Sequence, residues 1–447
     1  MRPGTRLVHS ATVNTTTEMI DTARYAVHEL AKLDLDARLD LVASGAAAIA
    51  AEAQAIEDIA VAEAGQARKF ARREIASALE LLDALPHLAE AIRPQDVPSR
   101  SGSTQLEWAP YGVVFGWHSA NSPIWVPTLI AASGLAGGNA LLSRPSRRVG
   151  GTTARVLESL TYRWPIGAVQ LVTTPPEDAE AMMTEPGIGA VVAHASTATC
   201  RRHMVRLATA YAEGVTLRPY IPEASGNDAM VVLDGADMER AAAAALGGFA
   251  NAGQLCMAAK RIIVERAARD EFVPLLVEAV GDLVTGPADD ETTDVAPIPA
   301  AALERALADL DEAVAAGGIV ITGGNSAGGI LTPTVVLLPS PALGSRLWRE
   351  ESFAPLRGMA IADDARHAVR LANDSPFGLG AAVFGPSARA RTVADALRGA
   401  RITINEGPLY QDPHLVVGGV GDSGLAGARP KVEQLVYARR VHVAANG

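Results

Sequence analysis

The sequence predicts an α/β fold in which parallel sheets are covered by helices and divided among two or three domains. Three observations lead there. The chain has 447 residues, more than one ordinary core serves. From Tyr111 onward, short β-like runs alternate with helical segments, the pattern of parallel strands joined by crossover helices. Apolar residues make up 49% of the chain and aromatics only 4%, with many Ala and Gly, which suits helices lying close against sheets.

The elements follow in order. Up to about Ile92 the chain reads as helices. Thr15-Thr16-Thr17-Glu18 has the spacing of a capping box, and Ala23, Val27, Leu30 and Ala31 then share one face. Ala/Leu-rich segments continue from there, broken at Pro86 and Pro94. A first strand series comprises Gly112-Val113-Val114-Phe115, Ala140-Leu141-Leu142, Val169-Gln170-Leu171-Val172, Val191-Val192 and Val231-Val232-Leu233. A second comprises Arg261-Ile262-Ile263-Val264, Ile319-Val320-Ile321, Thr334-Val335-Val336-Leu337 and Ile402-Thr403-Ile404. Between them, the Pro/Asp/Thr-rich stretch from Gly286 to Pro299 reads as a surface loop. After Pro408 the chain is loop-rich, then β-like at Leu435-Val436-Tyr437 and Val441-His442-Val443. Such a tail has little core of its own and is expected to lie on another domain or subunit.

Several function classes are excluded. A net charge of −11, without a basic stripe interleaved with aromatics, argues against nucleic acid. Two cysteines, Cys200 and Cys256, cannot form a disulfide framework and suit a reducing cytoplasm. No metal site is expected. The N-terminus lacks the apolar core of a signal peptide. The uncharged run from Ser119 to Ser143 is interrupted by Asn121, Pro123, Pro127, Gly134, Gly137, Gly138 and Asn139, which suits a buried loop–helix–strand better than a membrane span. A soluble, cytoplasmic protein is expected.

The chemistry concentrates around Phe249-Ala250-Asn251-Ala252-Gly253-Gln254-Leu255-Cys256, with Glu223 upstream in Pro222-Glu223-Ala224-Ser225-Gly226. A thiolate is the strongest side-chain nucleophile near neutral pH, and a carboxylate beside it could activate water. An isolated cysteine would more often be a buried structural residue; the surrounding pattern reverses those odds. A literal G-x-G-x-x-G occurs at Gly419–Gly424, but too little chain follows it for a βαβ unit, so it reads as a tight glycine turn.

In this order and spacing the motifs resemble those of the aldehyde dehydrogenase superfamily over nearly the whole chain. The Cys256 loop resembles its nucleophile loop. Pro110-Tyr111-Gly112-Val113-Val114 resembles its first sheet strand, and Ser119-Ala120-Asn121-Ser122-Pro123 stands where the family has Pro-Trp-Asn-Phe-Pro. The resemblance implies that Asn121 and the Cys256 N–H hold the oxyanion and that Glu223 is the general base. Each oxyanion donor would contribute roughly 3 kcal/mol. Ser143-Arg144-Pro145-Ser146-Arg147 replaces a strand end of the type Lys-Pro-Ser-Glu, exchanging an acid for guanidiniums. Arg144 and Arg147 are therefore expected at the cofactor, which leans toward NADP over NAD. Ser196, in Ala193-His194-Ala195-Ser196, is carried over as a cofactor contact, whereas His194 has no family counterpart. Glu350-Glu351-Ser352-Phe353-Ala354-Pro355 resembles Glu-Glu-Ile-Phe-Gly-Pro, which implies Glu351 on the nicotinamide ribose and Phe353 against the ring. Leu371–Leu379, Ile404-Asn405 and the glycine turn are further landmarks of the same kind.

The resemblance implies a Rossmann-like cofactor domain with N-terminal helices over residues 1–225 and an α/β catalytic domain over 226–405. A C-terminal loop and oligomerisation strand occupy 406–447, joined in a small β oligomerisation element by residues near 92–110. It implies NAD(P)-dependent oxidation of an aldehyde to an acid through a cysteine thioester, in a homodimer or homotetramer. Ser122, Trp125, Leu255, Met257 and Val417 are expected along the aldehyde tunnel, for an aliphatic or aromatic substrate. Three alternatives stay open: a CoA-acylating dehydrogenase, a cofactor-independent cysteine hydrolase, and a catalytically inactive relative.

Overall fold

Four helices open the chain: α1 (Thr16–Leu30), α2 (Leu35–Ala51), α3 (Ala53–Ala64) and α4 (Arg68–Ala89). They come from a computed structural model that describes residues 15–100, 102–410, 412, 418–425, 429 and 431–444. The capping box is formed. Glu18 N–H donates to Thr15 Oγ1 at 3.3 Å, and Thr15 N–H donates to Glu18 Oε2 at 2.8 Å. The buried stripe of α1 is Met19, Ile20, Ala23, Ala26 and Leu30, while Ala31, expected on that face, is the exposed C-cap. α4 runs through Pro86 instead of breaking there. The proline sits close to the helix end, where its missing N–H forfeits a single bond.

Two short strands, β1 (Gln95–Val97) and β2 (Ser103–Pro110), precede the first parallel sheet. That sheet comprises β3 (Val113–Trp117), β4 (Ala140–Arg144), β5 (Val169–Leu171), β6 (Ile188–His194) and β7 (Tyr220–Glu223). The connections are α5 (Trp125–Ala136), α6 (Gly150–Thr161), α7 (Pro176–Met182) and α8 (Thr197–Ala212). Strand order is β5-β4-β3-β6-β7, every pair parallel. The chain thus works outward from β3 on one side and then returns to its other side. Connections leaving β3 and β6 diverge, which opens a crevice at the carboxyl ends of those strands. The uncharged stretch noted in the sequence forms α5, buried from Val126 to Ala136 and far too short to span a bilayer. Among the described residues no single helix is long and apolar enough to cross a membrane; α2 and α3 pass that test only as a pair, and they are bent by 69°.

The second sheet begins four residues beyond β7. Its chain comprises β8 (Asp228–Val232), α9 (Met238–Ala245), β9 (Ala259–Glu265), α10 (Arg269–Gly281), α11 (Ala300–Ala315) and β10 (Ile319–Thr322). A small hairpin of β11 (Ser326–Ala327) and β12 (Ile330–Leu331) follows, then β13 (Thr334–Leu337), α12 (Arg346–Arg349), β14 (Leu356–Ala362) and α13 (Ala365–Asn373). β15 (Phe377–Gly378), β16 (Gly380–Phe384), α14 (Ser387–Ala396) and β17 (Arg401–Ile404) complete it. Seven strands lie in the order β10-β13-β14-β9-β8-β16-β17, parallel except for β10. Each sheet buries its own apolar cluster, around Phe115 and Leu135 in the first and around Phe272 and Trp348 in the second. The loop from Gly286 to Pro299 is pinned to α4 by Arg72–Glu291 (2.6 Å) and Lys69–Asp294 (2.7 Å).

Three last elements return to the first half. β18 (Val420–Gly421) pairs with β15, α15 (Lys431–Gln434) lies against α5, and β19 (Val436–Val443) joins β2. The result is a separate antiparallel sheet in the order β1-β2-β19. The geometry that matters for chemistry is simple. β7 delivers the chain from the carboxyl edge of one sheet to the amino edge of the other, so loops from both edges meet.

Candidate active site

A cavity of about 950 Å³ opens where the sheets meet. Asn121 after β3, Ser196 after β6, Glu223 at the end of β7, Cys256 before β9, and Glu351 and Phe353 before β14 all line it. Residues as far apart in sequence as Asn121 and Phe353 thus line one cavity.

The loop before Cys256 is strained. Asn251, Ala252 and Gly253 are consecutive left-handed residues, with φ of 50°, 51° and 78°. For Asn and Ala that conformation costs on the order of 1 kcal/mol or more each, so the surroundings must hold it. Asn251 Nδ2 donates to the Asn121 carbonyl at 2.9 Å. The buried Arg357 donates to the carbonyls of Gly248 and Gly253 and lies over the Phe249 ring. A Cβ on Gly253 would meet the Ala354 carbonyl at 2.0 Å, so glycine is needed there for space as well as for φ. Lys260, fully buried in β9, donates from Nζ to the carbonyls of Leu255 and Cys256. The Cys256 loop is therefore braced from three sides.

Cys256 is half-buried and faces the cavity, whereas Cys200 is buried in α8. Burial pushes the Cys256 thiol up to about 12; the negative field of Glu223 adds to this and Lys260 opposes it. Burial and the Glu223 field both favour the thiol over the thiolate. Glu223 itself is buried, and desolvation raises its carboxyl above the usual range, against the pull of Lys431 and Arg401. A carboxylate raised in this way is a stronger base than one in water. The backbone brings it close: a Cβ on Gly226 would lie 2.3 Å from the Cys256 carbonyl, so only glycine lets the segment after Glu223 approach the cysteine loop.

Asn121 is held by its own backbone. Its carbonyl accepts from Asn251 Nδ2 and from Gln66 Nε2 (3.1 Å), and its side-chain amide donates to the Gln254 carbonyl at 2.9 Å. That amide carries a second N–H beyond the one bound to Gln254. The loop is anchored by Glu74, whose buried Oε1 accepts from Ser122 Oγ (2.7 Å), Ile124 N (3.0 Å) and Trp125 N (2.9 Å). Glu74 thereby satisfies the open N–H groups at the start of α5.

The chain matches the aldehyde dehydrogenase family over residues 5–439. It belongs to that family. A vanillin dehydrogenase of Pseudomonas fluorescens is 33% identical over 360 residues, spanning 78% of this chain and 72% of the relative. An NADP-dependent succinate-semialdehyde dehydrogenase of Deinococcus radiodurans is 29% identical over 417 residues, 91% of this chain and 85% of the relative. The crystal structure of an aldehyde dehydrogenase from Brucella melitensis is 26% identical and covers 98% of this chain and 91% of its own, with a TM-score of 0.91. The protein is thus an oxidoreductase of the aldehyde group that works with a nicotinamide dinucleotide.

The residues present in this aldehyde dehydrogenase fit such a cofactor. The crevice between β3 and β6 leads to the N-terminus of α8, a 16-residue helix whose N-cap is the exposed Ser196. That end offers backbone N–H groups and a positive dipole to a diphosphate. Glu351 lines the cavity while its Oε1 accepts from Gly226 N at 3.0 Å and lies 3.7 Å from Lys260 Nζ. Phe353 stands beside it on the same wall. The two arginines lie outside this cavity. Arg144 is buried with its guanidinium 4.0 Å over the Trp117 ring, Arg147 is exposed, and neither lines the cavity. The parallel register sets Arg144 directly beside Trp117, which explains the stacking. Arg148 lines the cavity in their place.

Of the expected tunnel residues, Ser122, Trp125, Leu255 and Met257 line the cavity, and Val417 lies outside the described residues. Met257 meets Trp125, Leu379 and Leu409 in a small apolar cluster. Sequence reasoning passed over Phe70, Leu409 and Tyr410, which also line the cavity, and Glu74, Lys260, Arg357 and Lys431, which brace it. The available signal was a charge in an apolar setting: Lys260 is the second residue of the buried strand Ala259–Glu265, and Glu74 sits on the buried face of α4.

Proposed function

We propose that this enzyme oxidises an aromatic aldehyde to its acid through Cys256, with Glu223 as the base that releases the product. The observation that carries the reading is the convergence of Cys256, Glu223 and Asn121, from three loops, on one cavity that also takes in Glu351 and Phe353. Cys256 gives up its proton to water in the cavity as its sulfur bonds to the carbonyl carbon. The oxyanion is held by the Cys256 N–H and the free N–H of Asn121. NAD(P), held along Glu351 and Phe353, would supply the hydride acceptor needed to convert the thiohemiacetal into a thioester. Glu223 then removes a proton from water as the oxygen attacks the thioester, the C–S bond breaks, and the acid leaves. The buried carboxylate beside the sulfur favours water over a thiol such as CoA as the acyl acceptor.

Phe70, Trp125 and Tyr410 give the cavity an aromatic lining, which with the vanillin dehydrogenase relative supports an aromatic substrate. Arg148 at the cavity supports NADP as the preferred cofactor, and Ser196 its diphosphate contact. The edge strand β19 supports a homo-oligomer: it has one neighbour, β2, and exposes Tyr437 and Val443. The free thiols support a reducing, cytoplasmic location.

The test is a panel of aromatic and aliphatic aldehydes with NAD and with NADP, following absorbance of the reduced nicotinamide for wild type, Cys256→Ala and Glu223→Gln. Activity absent from Cys256→Ala, and a single burst followed by slow turnover in Glu223→Gln, are expected. Full steady-state activity in either variant overturns the assignment.

A further inference from the structure

The glycine turn and the short helix α15 converge on Glu223, a use of the C-terminal segment that the reaction outlined above does not require. The Ala224 N–H donates to the Ser423 carbonyl at 3.0 Å, Glu223 bridges to Gly424, and Ser423 Oγ accepts from Gly378 N. α15 carries Lys431 inward beside this turn. Its side chain is only 2% exposed, its Nζ lies 3.8 Å from Glu223 Oε2, and it donates to Gln434 Oε1 at 3.2 Å. On the opposite side, the register of β6 and β7 pairs His194 with Glu223, and His194 Nε2 lies 3.5 Å from the same Oε2. Among the described residues neither His194 Nε2 nor Glu223 Oε2 has a hydrogen-bond partner. A buried carboxylate oxygen is therefore flanked by an ammonium and an imidazole, both sealed from solvent.

We propose that Lys431 is a positioning residue that keeps Glu223 ionised beside Cys256, so that α15 sets the pH at which the acyl-enzyme can be hydrolysed, with His194 as its uncharged opposite wall. The proposal rests on Glu223 being the base. Burying a lone carboxylate strongly disfavours its charge, and one close cation offsets that cost. The groups facing Glu223 are few: His194 from β6, Cys200 from α8, Cys256 from its loop, Arg401 from β17 and Lys431 from α15. Of these, Arg401 is already committed to Asp228 at 3.7 Å, leaving Lys431 as the near cation. His194 stays neutral: burial drives its pKa well below the ordinary value, and Lys431 pushes it further down. Charge loss at Lys431 must therefore raise the pH at which Glu223 ionises. The pairing with Glu223 accounts for a lysine this deeply buried.

The experiment compares the pH dependence of steady-state turnover and the amplitude of the reduced-nicotinamide burst in wild type, Lys431→Met, Lys431→Gln, Lys431→Arg and Glu223→Gln. The expected result is that Met and Gln move the acid limb of turnover to higher pH by about one unit, a roughly tenfold loss at fixed pH on that limb. The burst amplitude stays at the wild-type level, and Arg restores the limb. A structural role alone would lower burst and turnover together without moving the limb. If Lys431→Met fails to fold, the Gln variant, which keeps a polar end group, reads the same limb. Superimposable limbs in wild type and Lys431→Gln, with Glu223→Gln still slow, overturn the proposal. Unaltered turnover in Glu223→Gln removes Glu223 as the base and the proposal with it.

Discussion

Removing the Glu74 carboxylate tests how the Asn121 loop is built. Its Oε1 accepts from Ser122 Oγ, Ile124 N and Trp125 N, and its Oε2 from Gln66 Nε2 at 2.9 Å, all in a site where Glu74 is only 4% exposed. In Glu74→Ala the hydroxyl and the amide can turn to other partners, but the two N–H groups are fixed at the start of α5. Each buried unpaired N–H costs about 1–3 kcal/mol, so the loss should be roughly 2–6 kcal/mol. Glu74→Gln is milder because its carbonyl keeps the three Oε1 donors and it escapes the desolvation that raises the carboxyl pKa. Its amide would, however, face the Gln66 amide donor. Relief requires Gln66 to turn over, which gives up its bond to the Asn121 carbonyl. We expect a loss of about 1 kcal/mol in Glu74→Gln, with kcat/KM lowered about tenfold through misplaced Asn121. Denaturant unfolding and steady-state kinetics measure both. A Glu74→Ala protein within about 1 kcal/mol of wild type would refute the anchoring role.

Other consequences follow from the same geometry. With the Cys256 thiol pushed up to about 12 in the free enzyme, its alkylation by iodoacetamide should keep accelerating through the neutral range and well above it. A plateau near neutral pH would contradict that electrostatic picture. Cys200, buried in α8, should stay unlabelled in the folded protein, as peptide mass mapping would reveal. Gly226→Ala places a Cβ 2.3 Å from the Cys256 carbonyl, so the loops must separate and turnover should fall at least a hundredfold. Wild-type kinetics in that variant would show that the two segments do not meet as described.

Much of the fold was legible because each sheet declares itself in short β-branched runs, such as Val113-Val114 in β3 and Ile262-Ile263 in β9, spaced by helices. The capping box of α1 and the cysteine loop were equally local, written in adjacent residues. What escaped depends on direction or on meeting at a distance. Arg144 and Arg147 show their charge in the sequence but not which way they point, and the β3–β4 register turned Arg144 onto Trp117. Pro86 marked a break that the nearby helix end made unnecessary. The glycine turn reads in the sequence only as a tight turn, and its contact with Glu223 across the molecule left no trace in its own residues. Glu74, Lys260 and Lys431 each meet partners far off in sequence or buried in backbone, so only tertiary structure shows what they do.

The central claim is that the substrate carbon becomes attached to one particular sulfur. Glu223→Gln enzyme should be mixed with an aldehyde and NAD(P), quenched in acid, and digested for mass spectrometry. The account predicts an acyl group on the peptide carrying Cys256, formed only when the dinucleotide is present. An unmodified Cys256 after a full burst of reduced nicotinamide, or acylation at Cys200, would contradict it.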